Sequence, residues 1–248
     1  GLFYATSDAG AEPALVTIDL FGNIDADPSL DERMSNLAFD STSGTLLGMT
    51  RDKSIVRMDP QASDIDTVQI GNLGFDALAM TYDPADGGYF AVTWQNTLIK
   101  FWPTGGSRAI GPLAEEIFTI VYDSDTQTLW GALEQSWHPV EIDTNTAEFI
   151  DIHTQTTFSA GIQLCYDTTS DTLRGYTPGN DLTWFWDPGV TLWPTGNAHG
   201  LEQMNGITWD PESQRIAGAS SPLNSPTSRV HMWLSLIHIS EPTRLRSI

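Results

Sequence analysis

The most regular feature of the chain is a short apolar run that ends in an aromatic residue followed by aspartate. A polar segment rich in Ser, Thr, Asp and Gly follows each copy. Aspartate caps tight turns, and the runs are too short for helices and rich in β-branched and aromatic residues, so the pattern predicts a strand leading into a turn. The five copies are LAFD (37–40), MTYD (80–83), IVYD (120–123), LCYD (164–167) and ITWD (207–210).

A second run carries a small residue eight positions after each of these aspartates. The successive intervals between the small residues are 43, 43, 40, 44 and 43, and a third run and a weaker fourth run follow in each copy. We interpret the small residue as a place where an adjacent sheet approaches closely. The small residues are Gly48, Ala91, Gly131, Gly175 and Gly218, with Ala5 in an incomplete first copy.

Four short strands recurring at a period of about 43 residues predict an all-β protein, a β-propeller of four-stranded blades. About six blades are visible, the first and last incomplete. Apart from a possible short helix in 28–36, no window shows helical periodicity, and this argues against a βαβ fold. We expect one propeller domain over 1–233, truncated at both ends, because the first copy begins at its second strand and the last stops at its third.

The final segment, 234–248, departs from the rest of the chain. It has the sequence LSLIHISEPTRLRSI, and it carries two arginines and one glutamate after an acidic body. It resembles a translated sequencing adapter, so we expect a non-native tail and exclude it from functional interpretation.

The repeat resembles that of the broad YVTN/NHL-like group of secreted bacterial propellers. The likeness is carried by MTYDPADGGYFAV, by IVYDSDTQTLWGA with VEIDTNT, and by LAFDSTSGTLLGM with RMDP. The resemblance implies an extracellular or periplasmic location. The group includes enzymes, ligand-binding domains and proteins without assigned activity, so the likeness leaves the function open.

The charge of the chain narrows the choice of partners. There are 32 Asp and Glu against 11 Lys and Arg, a formal charge of −21. Such a surface repels phosphate backbones and anionic membranes, so nucleic acid and membrane insertion are not expected. The acidity is explained either by solubility or by cation capture. The single cysteine, Cys165, lies in an apolar run and is expected to be a core residue in a monomer.

The loops that join strand two to strand three vary in length and chemistry, and they lie on one predicted face of the ring. Exposed indoles suit sugar rings or apolar ligands, so the sequence predicts recognition of a glycan, peptide or small ligand on this face. The alternative is that these tryptophans cap the blade cores. The candidate binding residues are Trp94, Trp137, His138 and Arg51.

A second candidate site lies at the mouth of the predicted central channel. Oxygen ligands that converge there from different blades would suit Ca²⁺, and related six-bladed propellers with lactonase-like activity use such a set. The candidate ligands are Asp76, Glu116, Asn36 and Asn205. They are otherwise explained as the polar lining of a water-filled channel.

The sequence contains none of three common catalytic motifs: Gly-x-Ser-x-Gly, His-Glu-x-x-His and Cys-x-x-Cys. The sequence therefore favours a secreted, non-catalytic binding or scaffold propeller without a cofactor. The alternative is a calcium-dependent, lactonase-like hydrolase whose catalytic residues are unknown.

Overall fold

A computed structural model describes most of the repeat region. The described residues are 2–7, 14–19, 24–27, 30, 33–60, 62, 68–136, 138–153, 163–167, 172–177, 182–187, 190–197, 202–210, 215–222 and 229–234.

Within this part of the chain the strands form six antiparallel sheets, which we call blades 1 to 6 in chain order. Blade 1 contains β1 (Leu2–Ser7), β2 (Ala14–Asp19) and β3 (Ile24–Asp27). Blade 2 contains β4 (Met34–Asp40), β5 (Thr45–Thr50), β6 (Ser54–Met58) and β7 (Val68–Asn72). Blade 3 contains β8 (Ala77–Asp83), β9 (Gly88–Thr93), β10 (Thr97–Phe101) and β11 (Ser107–Pro112).

Blade 4 contains β12 (Ile117–Asp123), β13 (Thr128–Leu133), β14 (Pro139–Ile142) and β15 (Phe149–Ile152). Blade 5 contains β16 (Gln163–Asp167), β17 (Thr172–Thr177), β18 (Leu182–Asp187) and β19 (Val190–Asn197). Blade 6 contains β20 (Glu202–Asp210), β21 (Arg215–Pro222) and β22 (Arg229–Leu234).

The strand register confirms the repeat. In blades 2 to 6 the small residue of the second strand pairs with the residue three positions before the turn aspartate. The predicted first strands are β4, β8, β12, β16 and β20, and each ends at its aspartate. Residues 34–36, the end of the possible helix, belong to β4 instead, where Met34 and Asn36 pair with Thr50 and Met49 of β5.

The first strands also lie innermost. The strands β4, β8, β12 and β16 contact one another in chain order, β16 contacts β20, and each begins a sheet that extends outward. Ala5, the small residue of the second strand in the repeat, lies in β1, so blade 1 contains strands two to four of the repeat. Blade 6 contains strands one to three. Leu234, the first residue of the predicted tail, ends β22, and 235–248 lie outside the described residues.

Because the strands are antiparallel, the connections alternate between two faces. The turns that join strand one to two and strand three to four lie on one side, the turn face. The loops that join strand two to three, and the crossings to the next blade, lie on the other side, the loop face. The aspartate-led turns therefore lie opposite the predicted binding loops.

Apolar side chains fill the space between neighbouring blades. Phe90 and Leu98 of blade 3 share one buried cluster with Ile117, Leu129 and Val140 of blade 4. A second cluster joins blades 2 and 3 in the same way. Each blade thus covers the apolar face of the next, which is the driving force for stacking repeated sheets.

The small residues have a different role from the one predicted. A Cβ atom on Gly48 would lie 2.8 Å from Met34 Sδ, and one on Gly131 would lie 3.1 Å from Ile142 Cδ1. Both neighbours belong to strands flanking the glycine in its own sheet. The expectation of close approach by an adjacent blade is therefore wrong at these two glycines, where large side chains of the same sheet fold over the small residue.

The aromatic residue beside the turn aspartate links adjacent blades. Tyr82 of blade 3 donates a hydrogen bond to Thr42 Oγ1 of blade 2 at 2.9 Å, and burial, with the nearby Asp40, raises the pKa of its hydroxyl. Tyr122 of blade 4 reaches blade 3 through its backbone N–H, which donates to Thr81 Oγ1 at 3.2 Å. The aromatic-aspartate step therefore ends a strand and also fastens that strand to the preceding blade.

Asp83 also belongs to an ion cluster in blade 3, in which Lys100 and Asp83 are buried and Asp86 is exposed. Lys100 Nζ lies 2.6 Å from Asp83 Oδ2 and 2.8 Å from Asp86 Oδ2, and 4.6 Å from the centre of the Phe90 ring. Burial raises the pKa of Asp86, but hydrogen bonds from Lys100 and the Gly88 backbone outweigh it and hold the pKa below its usual value. Lys100 and Asp83 are 8% and 3% exposed, so the pair compensates two charges that burial alone would destabilise.

Among the described residues, no helix is long and apolar enough to cross a membrane.

Candidate binding surface on the loop face

Two of the strand two-to-three loops adopt the same tight turn. Lys53 N donates to Thr50 O at 3.1 Å in blade 2, and Asn96 N donates to Thr93 O at 2.9 Å in blade 3. The third loop residue is left-handed in both turns, with φ of 72° at Lys53 and 57° at Asn96. Asparagine tolerates this conformation better than most residues, so the sequence of blade 3 suits its turn.

Each turn is tied to the end of the fourth strand of its own blade. Leu73 N donates to Lys53 O at 3.1 Å, and Leu113 N donates to Asn96 O at 2.8 Å. In blade 3 the Asn96 side chain adds a second bond, from Nδ2 to Leu113 O at 3.0 Å. The segment that crosses to blade 4 is therefore held against the turn that carries Trp94.

The first loop residue is tied to the residue that precedes the innermost strand. Trp94 N donates to Asp76 O at 3.2 Å, and Glu134 N donates to Glu116 O at 2.8 Å in blade 4. Backbone hydrogen bonds thus connect residue 76, the turn 94–96, the crossing 113–116 and residue 134. We call these residues the Trp94 rim.

Trp94 is the most prominent apolar group on the rim. Its side chain is 66% exposed, the largest fraction among the exposed large hydrophobic residues of the described chain. Its backbone is held on both sides by the bonds above. The loop face therefore presents an indole to solvent on a fixed support rather than on a free loop.

Carboxylates lie on the same rim as this indole. Asp76 lies 3.8 Å from Lys53 Nζ, with both side chains well exposed. Glu134 is joined to Glu116 by the backbone hydrogen bond above, and interaction with the Glu116 carboxyl, together with burial, raises the pKa of Glu134. Two acidic groups from successive elements of blade 4 are thus held side by side.

The other predicted binding residues occupy separate positions. Arg51 is exposed at the first position of the blade 2 loop, equivalent to that of Trp94. His138 is half-buried, and its carbonyl accepts a hydrogen bond from Leu133 N at 3.1 Å. Trp137 lies outside the described residues. The four residues therefore stay a predicted set, of which Trp94 and Arg51 are exposed at equivalent positions.

The predicted calcium ligands do not share one kind of position. Asp76 and Glu116 occupy equivalent places, immediately before β8 and β12. Asn36 lies inside β4, where its Nδ2 donates to Ala77 O of blade 3 at 2.7 Å. Asn205 lies in β20, and its side chain is outside the described part. In the residues that are described, no group of three or more His, Cys, Asp or Glu could hold a metal ion, and the calcium site stays a prediction.

Comparison with solved structures settles the fold. The chain superimposes on a nidogen/laminin complex structure with a TM-score of 0.67 and 12% identity, covering 94% of this chain and 93% of that one. A protein of unknown function from Bacteroides thetaiotaomicron gives 0.69 and 10%, covering 91% and 68%. The Cps50 (Swd1) β-propeller domain of Myceliophteria thermophila gives 0.57 and 12%, covering 94% and 93%.

The chain is a β-propeller. At these identities the likeness establishes the fold and not the activity. No family model and no curated protein matches the sequence.

From the sequence of the propeller alone, Glu134 and Asn96 were not identified as candidate site residues. Glu134 begins its loop as Trp94 and Arg51 begin theirs, so aligning the loops on the repeat would have revealed it. Asn96 has a recognisable signal, since asparagine at the third position of a short turn favours the left-handed conformation.

Proposed function

We propose that this protein is a non-catalytic propeller that binds a peptide segment of a partner protein on its loop face, at the Trp94 rim. The observation that carries the proposal is the 66% exposed indole of Trp94 on a turn fixed by backbone hydrogen bonds. An exposed aromatic group on a rigid support loses little conformational entropy on binding and supplies a large contact area.

The energetics of interfaces support the choice of Trp94 as the anchor. Tryptophan is over-represented among residues that dominate binding energy, and such residues need surrounding groups that exclude water. The crossing 113–116 and the turn 94–96 provide such surroundings. One structural neighbour was solved in a nidogen/laminin complex, which supports a protein partner rather than a glycan or small ligand.

An extracellular or periplasmic location belongs to the same proposal. It is supported by the formal charge of −21, which would keep such a domain soluble and apart from anionic surfaces.

Selection from a random twelve-residue phage-displayed peptide library tests the proposal. The full chain is the bait, and the affinities of selected peptides are measured for the wild type and for Trp94→Ala. We expect a loss of at least about tenfold, because truncating a central aromatic anchor typically costs more than about 1.4 kcal/mol.

Ile150→Ala is the matched control, because Ile150 is 60% exposed but lies on the outermost strand of blade 4. Its affinities should stay within twofold of the wild type. The proposal is wrong if no peptide is selected, or if the selected peptides bind Trp94→Ala as tightly as the wild type.

A further inference from the structure

We propose that the segment seated on Trp94 is cationic and presents Lys or Arg side chains to the carboxylates beside the indole. This inference rests on the proposed function and specifies the chemistry of its partner. It is carried by the exposed apolar face of Trp94 together with the charges that flank it.

The charged residues of the Trp94 rim are all acidic. Asp76, Glu115, Glu116 and Glu134 all belong to the rim or to the crossing within it, and Glu115 and Glu116 are exposed. Lys53 lies at the edge of this set, 3.8 Å from Asp76. Of the ion pairs formed by described residues, none reaches Glu116 or Glu134.

A cation from a partner would change the energetics of this surface. Neighbouring carboxylates such as Glu116 and Glu134 repel each other once both are ionised, and an opposite charge nearby favours ionisation of both. A Lys or Arg side chain of the partner would therefore be attracted by two negative charges at once. The indole face also attracts cations, so the apolar anchor and the acidic groups favour the same type of ligand.

The charge of the whole chain acts in the same direction. Lys53 and Lys100 are the only lysines in a chain of net charge −21, and Lys100 is buried within blade 3. Such a field accelerates the approach of cationic partners and slows that of anionic ones. An acidic peptide or an anionic glycan would meet repulsion at the rim.

Fluorescence anisotropy with two labelled eleven-residue peptides tests the inference. One peptide alternates Gly and Lys around a single central Leu, and the other replaces each Lys by Glu. We expect measurable binding of the lysine peptide at 0.1 M NaCl and at least tenfold weaker binding of the glutamate peptide. The double variant Glu116→Gln/Glu134→Gln should weaken the lysine peptide at least tenfold.

A matched double variant separates a site from diffuse attraction. Asp125→Asn/Glu148→Gln changes the net charge equally, but its exposed residues lie in turns of blade 4 on the turn face. It should change affinity less than twofold. All four substitutions are isosteric and at exposed positions, and circular dichroism with thermal melting checks that each variant is folded.

The possible failures are distinguishable. Equal losses in the two double variants would mean that only overall charge attracts the peptide, and the inference would be wrong. Library peptides that depend on Trp94 but show no enrichment in Lys or Arg would overturn the inference and leave the proposed function standing. Binding of lysine peptides and library peptides alike without any dependence on Trp94 would refute both.

Discussion

Gln127 shows how a single residue departs from the repeat. It occupies the fourth position after the turn aspartate and has φ of 60°, where Gly44 and Gly87 of the two preceding blades have φ of 71° and 70°. A residue with a Cβ atom in the left-handed region is strained by about 1–2 kcal/mol, whereas glycine is not. At this turn, blade 4 therefore carries local strain that the equivalent turns of blades 2 and 3 avoid.

We predict that Gln127→Gly stabilises the protein. The gain should be about 0.5–1 kcal/mol, since relief of strain exceeds the added flexibility of glycine in the unfolded chain. Chemical denaturation of the wild type and the variant measures it through the change in midpoint.

The reverse substitution in blade 3 is the control for this prediction. A Cβ atom on Gly87 would meet no atom within 4 Å, so Gly87→Gln adds strain without a clash. It should destabilise by a similar amount. If Gln127→Gly lowers stability, left-handed strain is not the dominant effect at this turn.

At the scale of strands and blades, the aromatic-aspartate step joins neighbours. The backbone N–H of Tyr122 donates to Thr81 Oγ1 of blade 3 at 3.2 Å, and burial, followed by the charge of Asp83, raises the pKa of the Tyr122 hydroxyl. Asp83 is in turn held by Lys100. The interface between blades 3 and 4 thus has polar groups beside its apolar core, and satisfied polar groups help to specify how sheets dock.

We predict that Tyr122→Phe weakens this interface. Removing this partly buried hydroxyl, which lies near the charge of Asp83, should lower the free energy of unfolding by about 1 kcal/mol. Denaturant midpoints of the two proteins at pH 7 measure the loss. Phe39 stands at the equivalent place in blade 2, where it stacks on Tyr4 with ring centres 6.1 Å apart, so phenylalanine is compatible with the backbone.

The same tyrosine gives an alkaline test. Burial, followed by the charge of Asp83, raises the pKa of Tyr122 to about 12. The folded state therefore holds this proton more tightly than the unfolded state, and wild-type stability should fall as the pH rises from about 10 to 12. Tyr122→Phe should show a shallower decline over that window. An unchanged slope would contradict the assigned environment.

The strands could be predicted from the sequence because each repeat contains the same local pattern, an apolar run that ends in an aromatic residue and a turn aspartate. Gly48 and Gly131 could be aligned from the sequence alone, and both pair with the residue three positions before the turn aspartate. The neighbours of these glycines could not be predicted, because the direction of Met34 or Ile142 across the sheet depends on packing. The bond from Asn36 to Ala77 likewise depends on the spacing between blades, which no local pattern encodes.

For the whole molecule, the excess of acidic groups should govern the response to salt. At −21 the folded chain repels itself, and the Debye length falls from about 30 Å at 0.01 M salt to about 3 Å at 1 M. We predict that the melting temperature rises with NaCl over this range. The variant Asp125→Asn/Glu148→Gln, which carries less charge, should show a smaller rise.

A melting temperature that falls with NaCl would contradict this prediction. It would mean that local pairs such as Lys100 with Asp83 outweigh the general repulsion. The buried position of that pair argues otherwise, because salt screens buried pairs much less than exposed charges.

Backbone hydrogen bonds hold the Trp94 rim in place, and this affects how its side chains can evolve or be redesigned. Main-chain atoms make the bonds from residue 94 to 76, from 113 to 96 and from 134 to 116, so the identities of the side chains at 94 and 134 are not needed to hold the loops in place. Those positions are free to diversify while the scaffold stays the same. A combinatorial library randomised at 51, 94 and 134 should therefore retain folded members and yield binders of altered selectivity.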